Sequence, residues 1–215
     1  MADVVAAALA VIAKAPEPGR TKTRLSPPLS PADACRVAWA CLHDTLDAMA
    51  AVRVAARHVL VLDGPAGPWV PPGFEIVPQR GDGLAARLAA AFADLGDPTV
   101  VIAMDTPQVP SALLTDAVRI VAAGERAAAL GPASDGGFWL IGLGRGVDPV
   151  AAFEGVPMSV DETGAAQLAR LRALGLAPVL LPTLRDVDTI EDVWAVADEA
   201  PTSRLAALAG ALRRA

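Results

Sequence analysis

The sequence predicts an α/β fold: one domain whose mainly parallel sheet is covered by helices on both faces. Two observations carry this. Short apolar runs such as Val4–Ala13 and Thr99–Met104 recur without polar alternation, the pattern of strands buried on both sides. Segments of helical periodicity separate them, so successive strands are joined by crossovers and run parallel. No internal repeat or linker-like tract interrupts the 215 residues, and 1–215 is read as a single domain.

The elements follow in order. Val4–Ala13 is a strand. Lys14–Ser30, rich in Pro, Gly and charge, is a loop. Pro31–Ala50 is a helix, with Ser30 as N-cap, Pro31 in the first turn and Asp33 near the positive end of the helix dipole. His58–Leu62 is a strand ending at Asp63, followed by a loop, Gly64–Gly73, with four prolines. Phe74–Val77 is a strand and Leu84–Leu95 an amphipathic helix. Thr99–Met104 is a strand ending at Asp105, and Ser111–Ala123 a helix. Ala127–Leu130 and Phe138–Leu143 are strands separated by Gly131-Pro132 and Asp135-Gly136-Gly137. Helices near Glu162–Leu174, Ile190–Asp198 and Leu205–Leu212 complete the chain, with strand Pro178–Leu181 after the first of them.

Composition excludes several classes. With 18 basic and 24 acidic residues the net charge is −6, the wrong sign for a general nucleic-acid binder, and only 4% aromatic residues leave few stacking platforms. Two His and two Cys argue against a zinc site. Cys35 and Cys41, six apart on one helix, read as buried free thiols, which fits a reducing cytoplasm. Val4–Ala13 is too short to span a bilayer, and Asp3 stands where a signal peptide carries positive charge.

In open α/β sheets ligands bind beyond the carboxyl ends of the strands, so the polar residues after each strand are the functional candidates. Lys14, Arg20, Lys22 and Arg24 fall within eleven positions after the first strand, with Gly19 permitting close backbone approach. Such a loop suits a di- or triphosphate, gripped by Arg and neutralised by Lys. It is not a Walker A loop, since Thr21 precedes Lys22 and the upstream glycine is missing. Asp105, at the tip of a buried strand, suits Mg²⁺ or Mn²⁺ against nucleotide phosphates; the competing role is a helix cap. Asp186 and Asp188 flank one residue and face the same side of an extended segment, an arrangement a cation would relieve. Capping of the helix at Ile190 by Asp188 or Thr189 is compatible with that. Asp135-Gly136-Gly137 allows close approach of a ligand or a second backbone, and is also a common turn.

Gly81-Asp82-Gly83-Leu84-Ala85-Ala86 fits G-x-G-x-x-A before a helix and raises a second possibility, an NAD(P)-dependent oxidoreductase. Pro78-Gln79-Arg80 separates these glycines from the strand, and the cation loop would go unexplained, so this ranks well below a nucleotide-using transferase. No nucleophile triad is evident, and His43 and His58 read as structural or surface residues.

Lys14-Ala15-Pro16, Pro18-Gly19, Lys22-Thr23-Arg24-Leu25, Asp105-x-Pro107, Gly131-Pro132, Asp135-Gly136-Gly137 and Asp186-Val187-Asp188-Thr189 occur in an order that resembles the DUF2064 family. That family is glycosyltransferase-like, with the Rossmann-like GT-A fold of nucleotide-diphospho-sugar transferases. The opening loop is also similar to that of phospholactate guanylyltransferases. The resemblance implies phosphate contacts by Lys14, Lys22 and Arg24, a metal-binding Asp105, and a second acidic site at Asp186 and Asp188. The chain departs from the family pattern at Ala85-Ala86, where Gly-Glu is frequent before Arg87, at Phe138, where Tyr is frequent, and at Val160, where Thr is common.

The expected activity is metal-dependent transfer from an activated nucleotide to a small acceptor, from an NDP-sugar in the first reading and from an NTP in the second. Lys22 and Asp105 are the expected catalytic residues. Lys14, Gly19, Arg20, Lys22, Arg24, Asp82, Gly83 and Arg87 are expected at the nucleotide, Asp135, Gly136, Gly137 and Ser159 at the acceptor, and Asp105, Asp186 and Asp188 at Mg²⁺ or Mn²⁺.

Overall fold

The structure, a computed structural model, describes residues 4–214; Asp3 lies outside them. Strands β1 (Val5–Lys14), β2 (Ala55–Asp63), β3 (Phe74–Pro78), β4 (Thr99–Ala103), β5 (Ala128–Pro132), β6 (Phe138–Leu143) and β7 (Val179–Leu180) form one sheet in the order β3-β2-β1-β4-β6-β5-β7. The β1–β2, β1–β4, β2–β3 and β5–β7 pairings are parallel. Strand β6 alone runs antiparallel, to β4 on one side and β5 on the other. Only residues 133–137 join β5 to β6, too short a span for the helical crossover a parallel pair requires.

Helices α1 (Pro31–Ala50), α2 (Gly83–Leu95), α3 (Ser111–Ala122), α4 (Pro149–Phe153), α5 (Thr163–Ala173), α6 (Ile190–Glu199) and α7 (Arg204–Leu212) cover both faces. Strand β1 shows the arrangement: Leu9, Val11 and Ala13 join the core built with Leu42, Leu46 and Met49 of α1 and Leu114, Val118 and Val121 of α3. Its alternate residues Ala8 and Ala10 face Leu88 and Phe92 of α2, Phe153 of α4 and Leu171 of α5. Both sets are fully or nearly fully buried, which is why the run carries no polar alternation.

A third core lies outside the sheet. Val37 and Cys41 of α1 pack with Val193 and Val196 of α6, Leu205 and Ala209 of α7, and the loop residues Leu25 and Val187. Helix α1 is therefore buried on two sides, and both Cys35 and Cys41 are buried free thiols. Burial pushes the Cys41 thiol up to about 12, with Lys22 acting in the opposite direction.

The helix caps explain where these elements begin. Ser30 Oγ accepts the Asp33 amide at 3.1 Å and Pro31 occupies the first turn of α1. Thr189 and Asp192 form a reciprocal capping box on α6, so Asp188 is not the cap. Asp105 does not cap α3, whose N-cap is Pro110. The short helix α4 was not anticipated; Asp148 caps it through the Val150 amide, with Pro149 in the first turn. Strand β2 starts at Ala55 rather than His58, because Ala55 already pairs with Val5.

Candidate nucleotide and metal site

The carboxyl ends of β1, β3 and β4 open on a cleft of about 530 Å³. Its lining includes Lys14, Arg20, Lys22, Arg24, Gly83, Arg87, Asp105 and Asp188. A second cleft of about 480 Å³ adjoins it and is lined by Asp135, Gly137, Ser159, Asp161, Asp186 and Asp188 among others. Arg24, Leu84, Ala103, Asp105 and Asp188 belong to both linings, so the two clefts meet at a common wall.

The cation loop is a built structure. The amides of Arg20 and Thr21 donate to the Glu17 carbonyl, and Thr21 Oγ1 accepts the Glu17 amide at 3.1 Å. Gly19 takes φ +76°, which an L side chain rarely adopts. Lys22 also lies in the left-handed region, at φ 52° and ψ 41°. For a residue with a Cβ this costs roughly 1 kcal/mol. A single 3₁₀ turn over Thr23–Leu25 follows, and Leu25 is fully buried in the third core.

This geometry turns Lys22 inward. Its side chain is only 6% exposed, and Nζ lies 2.7 Å from Asp105 Oδ1 and 3.4 Å from Asp188 Oδ1. Nζ also donates to the Val187 carbonyl. Burial alone would depress the ammonium; Asp105 and Asp188 outweigh it, so the group is held well above its ordinary value and stays charged. The Val187 amide donates in turn to the Asp105 carbonyl at 2.9 Å, and its side chain is buried beside Leu25. Val187 is thus anchored through side chain, N–H and C=O, with Asp186 and Asp188 on either side of it.

The other cations are engaged to different degrees. Arg24 Nη1 lies 2.9 Å from Asp188 Oδ2, with its side chain 73% exposed. Arg20 pairs with Glu17 at 2.7 Å. Arg87 Nη1 pairs with Asp63 Oδ2 at 3.1 Å, and its Nε donates to the Gly81 carbonyl. Lys14 makes no ion pair with the described residues.

Asp135, Asp186 and Asp188 present carboxylate oxygens all within 4.8 Å of one another. Burial and the neighbouring Asp135 raise the Asp186 carboxyl to about 6, with Asp188 adding to the effect. Three hard oxygen donors converging at this distance suit Mg²⁺ or Mn²⁺. Asp186 and Asp188 thus come together with Asp135, which the sequence suggested for the acceptor. The Asp105 carboxylate is engaged with Lys22.

The Asp135-Gly136-Gly137 turn is fixed by a second backbone. Asp135 Oδ1 accepts the Gly137 amide at 2.8 Å, and the Gly164 amide at the start of α5 donates to the Gly136 carbonyl at 2.7 Å. Gly136 has φ +89°, and a Cβ there would come within 1.8 Å of the Asp161 carbonyl oxygen. Ser159, exposed and at φ 63°, sits in the segment that this contact positions.

Gly19, Asp82 and Gly136 line neither cleft. Asp82 is the exposed N-cap of α2 and makes no side-chain cap bond. The glycine run at 81–86 follows the edge strand β3 and not the central strand β1, where a dinucleotide fingerprint would sit, although Gly83 and Leu84 line the first cleft. His43 stacks on Trp39, and His58 packs against Phe74, both remote from these linings.

Two contributors escaped the sequence reading. Gln79 follows β3 as Asp105 follows β4; its Nε2 donates to the carbonyls of Ala13 at 2.7 Å and Val61 at 3.1 Å, tying β1 to β2. The rule that polar residues after strands are suspects would have found it. Asp161 carried no motif; only its contact with Gly136 reveals its place.

The comparisons with known proteins agree with this architecture. The chain belongs to the family described as "Uncharacterized protein conserved in bacteria (DUF2064)", whose model matches residues 40–160, more than half of the chain. No curated protein matches it in sequence. Among solved structures, a provisionally assigned nucleotide-diphospho-sugar transferase from Desulfovibrio desulfuricans G20 is similar over 97% of this chain and 94% of its own, at 26% identity and a TM-score of 0.83. CMP:2-keto-3-deoxy-manno-octonic acid synthetase complexed with CTP is similar over 89% of this chain and 96% of its own, at 13% identity and a TM-score of 0.54. Glucosyl-3-phosphoglycerate synthase from Mycobacterium tuberculosis, in complex with Mn²⁺, UDP and glucosyl-3-phosphoglycerate, is similar over 89% and 76%, at 12% identity and a TM-score of 0.51. The last two likenesses are of fold alone. The fold is the Rossmann-like one of nucleotide-diphospho-sugar transferases. No helix among the described residues is long and apolar enough to cross a membrane.

Proposed function

We propose that residues 1–215 form one transferase domain that takes an activated nucleotide and, with a divalent metal, passes a group to a small acceptor; the first reading is sugar transfer from an NDP-sugar. One observation carries the proposal: a cationic cleft and a carboxylate trio share a wall made of Asp105, Asp188 and Arg24. A polyphosphate in the first cleft would meet Lys14, Arg87 and the outward face of Arg24, with the N-terminus of α2 at Gly83 adding amide donors. Lys22 fixes Asp105 and Asp188 relative to each other and keeps a buried positive charge at the junction, set in place before any charge develops on a leaving phosphate. Asp135, Asp186 and Asp188 would hold Mg²⁺ or Mn²⁺, which would supply positive charge to the departing diphosphate.

Nucleotidyl transfer from an NTP is the second reading, favoured by the density of cations around the first cleft. Isothermal titration of the protein with a panel of NDP-sugars and NTPs, with and without Mn²⁺, tests the class. Metal-dependent binding of at least one nucleotide is expected. Binding of none, with the protein folded, removes the proposal.

A further inference from the structure

The two clefts carry opposite charge. Five cations line the first, against two carboxylates. The second is lined by six carboxylates and a single cation, Arg24, which is already bound to Asp188. Some of that negative charge is answered locally: Lys22 holds Asp105 and Asp188, and Arg185 lies 3.0 Å from Asp192. The remainder sits on Asp135, Asp186 and Asp161. A divalent ion on the trio of Asp135, Asp186 and Asp188 would answer the charges of Asp135 and Asp186, since Asp188 is already paired, and would leave Asp161 as the one uncompensated carboxylate. This is a cavity of about 480 Å³ with apolar walls as well as acidic ones, since the exposed side chains of Leu84 and Val160 face it.

Asp161 stands apart from the rest. Its backbone is pinned where its carbonyl packs on Gly136, yet its carboxylate makes no hydrogen bond or ion pair with the described residues. An acceptor bringing a phosphomonoester adds roughly 1.5–2 further negative charges with no free cation to receive them.

We propose, on the basis of the transferase reading above, that the second cleft selects a hydroxyl acceptor carrying neither phosphate nor carboxylate, so that the group transferred is a sugar. In that step the acceptor oxygen bonds to the anomeric carbon. The bond from that carbon to the phosphate oxygen breaks, the nucleoside diphosphate leaves with the electron pair, and the hydroxyl proton passes to the unpartnered Asp161 carboxylate.

Three probes of one shape and different charge test this: glucose, glucosamine and glucose 6-phosphate. Each is titrated by saturation-transfer-difference NMR into the protein, with and without Mn²⁺ and UDP. Glucose and glucosamine are expected to bind, and glucose 6-phosphate about tenfold more weakly or worse, the scale of a like-charge contact in a half-screened site. Asp161→Lys, at an exposed position, is expected to narrow that gap by about threefold or more. Glucose 6-phosphate binding as tightly as glucose, no probe binding at all, or an unchanged gap in Asp161→Lys each overturns the inference. Failure of UDP and the other nucleotides to bind strikes the transferase reading separately and leaves the sugar ranking readable.

Discussion

Replacing Lys22 by Met removes the charge at the junction of the two clefts while keeping much of the side-chain volume. At an effective dielectric of about 20, unit charges about 3 Å apart attract by roughly 5–6 kcal/mol, and desolvating the ammonium takes back most of this. Removing one partner of a fully buried pair costs about 3–5 kcal/mol. Here Asp105 and Asp188 are each 34% exposed, so water answers part of the stranded charge. We expect a loss of about 2–3 kcal/mol, or about 4–12 °C in Tm for a chain of this size. Urea unfolding of Lys22→Met, Asp105→Asn and the double variant closes a thermodynamic cycle. The coupling between the two positions should lie at about 1–3 kcal/mol, with the double variant more stable than Lys22→Met alone. The same variant should bind Mn²⁺ more tightly, because Asp188 loses the buried one of its two counterions and keeps only the exposed Arg24. A coupling below about 0.5 kcal/mol, together with unchanged Mn²⁺ affinity, would refute the idea that Lys22 holds these carboxylates in register.

Asp186 has its folded-state carboxyl raised to about 6 from an ordinary 3.8, so the stability it contributes is fully present below pH 3.8 and is lost as pH rises through 6. A bound divalent ion favours the charged form; the Mn²⁺-induced rise in Tm should be large at pH 7.5 and shrink below pH 6, and Asp186→Asn should stabilise the metal-free protein at pH 7.5 while abolishing that rise. Gly136→Ala forces a Cβ to 1.8 Å from the Asp161 carbonyl oxygen at φ +89° and should cost about 3 kcal/mol or more, read by urea unfolding. Leu25→Ala should cost about 2–5 kcal/mol and, in calorimetry, weaken nucleotide binding although Leu25 lines neither cleft.

Much of the architecture was legible because it is written in local signals. The limits of α1 follow from Ser30, Pro31 and Asp33, and the buried strands from unbroken apolar runs. The antiparallel sense of β6 needed a different argument, from the length of the 133–137 link, since an apolar run reads the same in either direction. At the site, the residues after β1 and β4 were legible by position. Their partners were not. That Lys22 reaches Asp105 and Asp188 depends on a left-handed backbone at a lysine, which no propensity favours. That Asp135 joins Asp186 and Asp188 depends on β5 and β6 lying between β4 and β7, a matter of strand order.

The third core explains how residues 166 positions apart come to share one ion pair. Lys22 and Asp188 sit on two loops; the second is stitched to the sheet at Leu184, which bridges Ala133, and by the Val187 amide on the Asp105 carbonyl, but neither loop lies within a named strand. Each loop also drops one apolar side chain, Leu25 or Val187, into the pocket between α1, α6 and α7, where both are fully buried. The salt bridges Arg204–Asp44 and Arg204–Asp47 tie α7 to α1 and keep that pocket closed. Apolar burial does the positioning and the charges exploit it, since an ion pair with partners one-third exposed is too weak to order two loops by itself. It follows that damage to α6 or α7, far from both clefts, should reach the nucleotide through Leu25 and Val187 before it reaches the sheet.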